Sequence, residues 1–191
     1  MRFGDEEIKH QELFRRIERM CAGGMPGGYT FVPEPNAVAS AVLAKSTWAV
    51  LALTCHIELF VLAHYRAEHR HGRPCVELWK DVFLHHAKEE SQHAILDEME
   101  WVRENAKITS QARDAAVDDL IALVGAVDGI LQVQSLADTH YFVEICGRPM
   151  TAAEVEALRA DRSRCVSAGN TSSRASRMPR FQAGARRHDH R

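Results

Sequence analysis

The chain has 191 residues, 46% of them hydrophobic and 26% charged, which is ordinary for a soluble globular protein and enough for one domain with a sizeable core. Its formal net charge of -2 is unevenly spread: Arg159 to Arg191 holds nine Arg, no Lys and two Asp, a net of +7, which leaves -9 on Met1 to Leu158. The acidic body argues against a nucleic-acid surface, and five Cys (21, 55, 75, 146, 165) with no CxxC fit a reducing compartment and suggest no thiolate metal site.

The N-terminus is charged from the start and carries no signal peptide, so a cytoplasmic location is expected. Gly4 to Cys21 reads as an amphipathic helix, with Glu7, His10, Phe14 and Ile17 on one face. Ala22 to Asn36 is a loop dense in Gly and Pro, and its part from Gly23 to Pro35 is placed, beside Glu7's helix, where it could border a pocket. Asn36 or Ser40 caps the next helix, which runs to about Arg70 and is apolar on nearly every side. Ala37 to Cys55 raises a transmembrane question, but Ser40, Lys45, Ser46 and Thr47 interrupt it and Glu58 follows, so a buried core helix is expected and no membrane partner. Glu58 breaks this apolar surface and needs a partner; His56 and His64 are nearby candidates. Tyr65 reads as core.

His71-Gly72-Arg73-Pro74 is a turn, and a helix from about Val76 to Glu104 follows. Within it Phe83, His86, Glu90 and His93 share a face, the last three at i, i+4, i+7. Two imidazoles and a carboxylate where a core face would lie point to a metal ion; a hydrated surface face is the plainer alternative, helped by the solvent-type neighbours Lys88 and Glu89. Thr109 or Ser110 caps a long helix to about Cys146, whose apolar stripe runs through Val117, Ile121, Val124, Leu131, Phe142 and Ile145. Asp128, Ser135 and Asp138 fall in that stripe; the two Asp are expected to pair with Arg or His within the bundle, with a place in or around a metal site the alternative, and Gln134 and Ser135 to serve in packing. Gly147 and Pro149 end the helix, and Thr151 to Glu154 is a capping box opening a short one. No strand-like alternation of useful length occurs, so the fold is all-α, with four substantial helices and a short fifth in residues 1–160. Residues 161–191, rich in Arg, Ser, Ala and Gly, lack the apolar content of a core and are expected to be a disordered, solvated tail.

The polar residues on core faces form a set. Glu7 and His10 make one Glu-x-x-His and Glu90 and His93 a second, while Glu58 lies 15 residues before Arg73 and Glu90 lies 17 after it, level in an antiparallel pair. A carboxylate near the start of a helix also has an ordinary explanation in the helix dipole, which is the alternative for Glu7. The order Glu-x-x-His, Glu, Glu-x-x-His resembles the ferritin-like di-iron proteins, and with His86 making the last motif His-x-x-x-Glu-x-x-His it is most similar to the p-aminobenzoate N-oxygenase type. The resemblance covers roughly Gly4 to Trp101.

It implies a ferritin-like di-iron helical bundle in which Glu7, His10, Glu58, His86, Glu90 and His93 hold two Fe ions, with Mn the alternative metal. It implies O2-dependent oxidation of a small organic substrate such as an aromatic amine, by N-oxygenation or hydroxylation, with an external electron donor and with a homodimer among the arrangements open to it. The family also requires a Glu on a helix before Glu7, about 32 residues upstream by analogy with the Glu58-to-Glu90 interval. The expectation is therefore a bundle truncated at its N-terminus, beginning at an internal Met of a longer ancestral protein, with a tail resembling frameshifted GC-rich text. Competing expectations are a catalytically impaired remnant or metal-binding helical module without activity, and an iron-storing relative.

Overall fold

The computed structural model describes residues 3–70 and 76–160, the side chains of 67–70 excepted. The protein is all-α, with no strand among the described residues. The helices are α1 (Phe3–Ala22), α2 (Pro35–Leu43), α3 (Thr47–Arg70), α4 (Glu77–Asn105), α5 (Ser110–Ile145) and a short α6 over 152–160. The expected turn at His71–Pro74 and the expected tail at 161–191 lie outside the described residues.

One expected helix is two. The segment from Asn36 to Arg70 breaks at Ala44–Ser46, giving six helices among the described residues rather than five. Neither Asn36 nor Ser40 is the cap: the Glu34 carboxylate accepts the backbone N–H groups of Asn36 and Ala37, and Pro35 opens α2. The break is fixed from a distance. Asp119 on α5 accepts the Ser46 N–H at 3.0 Å and the Lys45 ammonium at 3.1 Å, holding the residues just before α3.

α3 and α4 form the spine, packed antiparallel: Trp48 lies on Trp101 with ring centroids 5.3 Å apart, and its indole N–H donates to Asn105 at 3.0 Å. Two cores lie along this spine. The first joins Trp48, Ala49, Ala52 and Leu53 of α3 to Ala116 and Leu123 of α5. The second joins Cys55, Leu59 and Leu62 of α3 to Ala87 and Ala94 of α4. Small residues at these seams let the backbones approach closely. α1 packs on α4.

α5 buries the expected stripe only in part. Val124 packs on the first core and Ser135 is buried, but Val117, Ile121, Leu131 and Phe142 are exposed, and Ala116, Leu123, Thr139 and Tyr141, outside the stripe, are buried. The helix is apolar around most of its circumference, so periodicity cannot choose a face, and the alanine-lined surface of α3 does. Thr109 caps α5, accepting the Ala112 N–H at 3.2 Å, and Gly147 (φ 72°) turns the chain beyond its end. The capping box is formed: Glu154 accepts the Thr151 N–H at 2.8 Å while its own N–H donates to the Thr151 hydroxyl. By length and composition, stretches of both α3 and α5 are apolar enough to cross a membrane.

The Gly/Pro loop after α1 docks on α5, not beside Glu7. Tyr141 donates to the Pro26 carbonyl at 2.6 Å, Tyr29 packs edge-on against Tyr141, and Gln134 accepts the Val32 N–H at 2.9 Å. Gln134 is thus a tether rather than packing, and it also donates to Asp138 at 2.8 Å, while Gln132 donates to Asp128 at 2.5 Å. Because the loop follows the far end of α1, some 15 residues beyond Glu7, helix rise alone carries it about 20 Å away.

Candidate metal centre

α4 builds its part of the centre by helical spacing alone. Glu90 lies one turn from His86 and one turn from His93, so its carboxylate meets both: the His86 Nε2 at 2.6 Å and the His93 Nδ1 at 2.8 Å. All three are buried, His93 completely. α1 runs antiparallel across this face. The order of ring contacts shows it, with Phe3 against His93 (4.3 Å), His10 against His86 (4.6 Å) and Phe14 against His86 (4.9 Å) and Phe83 (5.8 Å).

This crossing brings the two Glu-x-x-His motifs together. One donor atom from each of Glu7, His10, Glu90 and His93 lies within 4.8 Å of the others. The Glu7 Oε1 is 2.9 Å from the His93 Nδ1, and the His10 Nδ1 is 3.2 Å from the Glu90 Oε1. Glu58 arrives from α3 and shares a hydrogen bond with Glu90. All six residues singled out in the sequence are therefore linked through Glu90 or His93. Within the cluster Glu58 meets a second carboxyl group, that of Glu90.

Two carboxyl groups in hydrogen-bond contact hold one proton between them. Burial and then the hydrogen bond with Glu90 push Glu58 up to about 9. Burial acts on Glu90 in the same direction, but hydrogen bonds from His86 and Glu58 override it and hold Glu90 down to about 2. Burial disfavours the His93 cation, yet its hydrogen bonds to Glu6 and Glu90 win and raise its pKa.

Two residues not singled out in the sequence complete the geometry. The Glu6 carboxylate accepts from the His93 Nε2 at 2.9 Å, and the Glu89 carboxylate accepts from the His10 Nε2 at 2.7 Å while also binding Lys9. Glu89 is thus not a solvent-facing bystander. Each motif lends its extra carboxylate to the histidine of the other helix, because a residue adjacent to an inward Glu sits 100° around the helix and flanks the seam. The readable signal was the doubled Glu-Glu-x-x-His at Glu6 to His10 and Glu89 to His93.

The donor chemistry fits a metal. With their Nε2 atoms held by outer carboxylates, His10 and His93 turn Nδ1 inward, the arrangement that fixes the tautomer and orientation of a ligating imidazole. The Glu7 Oε1, His10 Nδ1 and His86 Nδ1 are buried without a hydrogen-bond partner. Buried polar atoms are costly unless satisfied, and imidazole nitrogen with carboxylate oxygen suits Fe, Mn or Zn. Among the described residues no cysteine belongs to the cluster, and Cys55 on α3 is pushed up to about 12 by burial and by Asp97, Glu98 and Glu58, so it stays a thiol. Comparison with protein-family models, with curated proteins and with solved structures yields no match.

Proposed function

We propose that this protein is a metal-dependent oxidoreductase of the ferritin-like di-iron type, holding two iron ions between α1, α3 and α4 and oxidising a small organic substrate with O2. The observation that carries the reading is the meeting of two Glu-x-x-His motifs from helices about 80 residues apart in the chain, with buried donor atoms that lack hydrogen-bond partners. Glu7, His10, Glu58, His86, Glu90 and His93 would hold the metal.

Reduced iron, when bound, supplies the electrons that activate O2. The chain's residues do the rest. Glu6 and Glu89 keep His10 and His93 aimed inward, and Lys9 neutralises Glu89. Glu58 and Glu90 surrender their shared proton when a cation replaces it. Phe3, Phe14 and Phe83 wall the imidazoles with apolar rings and thin the local water. The aromatic-amine substrate implied by the resemblance in Gly4 to Trp101, and the cytoplasmic location, belong to the same proposal.

The test is anaerobic Fe(II) loading of the full chain, followed by elemental analysis and Mössbauer spectroscopy. Two irons per chain with the spectrum of a coupled pair support the proposal; no bound iron removes it. A second reading has an observation of its own. Four donor atoms within 4.8 Å suit one four-coordinate ion, so a metal-binding helical module without oxygen chemistry predicts one equivalent of Zn(II) or Co(II) and no O2 consumption after Fe(II) loading.

A further inference from the structure

Asp97 continues the ligand face of α4 by one more turn. His86, Glu90, His93 and Asp97 follow at intervals of four, three and four residues, and all four are buried, Asp97 with 8% of its surface exposed. Its carboxylate is half satisfied. Thr54 on α3 shares its one hydroxyl hydrogen between Asp97 and the Leu51 carbonyl 3.1 Å away, and the Asp97 Oδ2 is buried with no hydrogen-bond partner. The group lies in the fields of His93, Glu7 and Glu90, and Glu58 in turn feels Asp97. A carboxylate buried among three others with an idle oxygen is a costly arrangement in a protein that holds no cation there.

Resting on the proposed metal-binding reading, we infer that Asp97 is a seventh metal ligand, its Oδ2 completing the carboxylate set on the His93 side of the centre. Metal-free, Asp97 is a cost to the fold; metal-bound, it is a contact. A purely structural aspartate tied to Thr54 has the opposite signature.

The test compares full-length wild type, Asp97→Asn and Asp97→Cys, loaded anaerobically with Co(II) and, separately, with Fe(II). A ligand role predicts that Asp97→Asn leaves the melting temperature of the metal-free protein unchanged or higher. It also predicts that this variant loses one equivalent of metal, or weakens binding by more than about 100-fold, beyond the roughly 10- to 100-fold expected when only an outer hydrogen-bonding partner is lost. Asp97→Cys with Co(II) is expected to show a sulfur-to-cobalt charge-transfer band that wild type lacks, because only a ligating thiolate produces one. Wild-type stoichiometry and affinity in Asp97→Asn, or no such band in a folded, cobalt-loaded Asp97→Cys, overturns the inference and leaves the metal centre standing. A wild type that binds neither metal removes the centre itself.

Discussion

The two ends of the α3–α4 spine are built on opposite principles. Toward the start of α3 the contacts are hydrophobic and close-packed: Trp48, Ala49, Ala52 and Leu53 meet Ala116 and Leu123, with Trp101 packed against them. Past Leu53 the two helices still meet through Cys55, Leu59, Leu62, Ala87 and Ala94, but alongside that seam α4 buries Asp97, His93, Glu90 and His86 where apolar residues would ordinarily lie. The apolar end is satisfied by its own atoms. The polar end is satisfied only in part, which is the signature of a site whose stability depends on something bound.

Substitutions at the two ends should therefore separate. Leu53→Ala, at 3% exposure in the apolar core, is expected to cost about 2–5 kcal/mol in the metal-free and metal-loaded protein alike. Equal shifts in denaturant midpoint with and without metal would check this, and a loss seen only with metal would erase the distinction between the ends.

At the polar end, Glu90→Gln removes the carboxylate that joins His86, His93 and Glu58. Metal binding should disappear at micromolar protein while helicity by circular dichroism is retained. Isothermal titration with Co(II) decides it, and near-normal binding would show that Glu90 is not the hub.

Glu6→Gln and Glu89→Gln keep the hydrogen-bonding shape but remove the charge facing His93 and His10. Each should weaken metal binding by roughly 10- to 100-fold. Unchanged affinity in both would reduce these pairs to surface contacts.

The pH dependence sharpens the comparison without mutation. Glu58 is raised to about 9, so between its ordinary value of 4.5 and 9 the folded metal-free protein holds a proton that the unfolded chain releases, and stability falls as pH rises. His93, also raised, contributes stability below its ordinary 6.5 that is lost as pH climbs through its folded value. Glu90, lowered to about 2, contributes above 4.5 and is lost only in acid. The metal-free melting temperature should be highest near pH 5 and decline toward pH 9, while metal affinity rises over the same range because binding displaces protons. A flat metal-free profile would contradict the shared proton.

The smallest effect belongs to the apolar end. Asp119→Ala removes the acceptor for Ser46 and Lys45 and should give only a modest fall in melting temperature, with metal affinity unaltered.

Much of this was legible in the sequence where the physics is local. The capping box at Thr151–Glu154, the Thr109 cap and the stop at Gly147 depend on residues a few positions apart, and they lie where the side-chain chemistry puts them. The contacts of Glu90 with His86 and His93 are likewise set by one turn of helix in either direction. What failed to read out involved a choice among equivalent faces or a partner far along the chain. α5 offered apolar residues on several sides, and the Gln134 tether and the Asp119 cap reach across 102 and 73 positions.

The sequence by itself determined five helical segments' worth of local preference, missing the break at Ala44–Ser46, and a stripe of imidazole and carboxylate along α4. Tertiary structure decided that this stripe faces another of its kind. Glu6 reaches His93 across 87 positions and Glu89 reaches His10 across 79, pairings set by the antiparallel crossing of α1 over α4. Helical periodicity dictates which residues share a face; only packing, which must bury apolar surface and satisfy buried charge at once, dictates which faces meet.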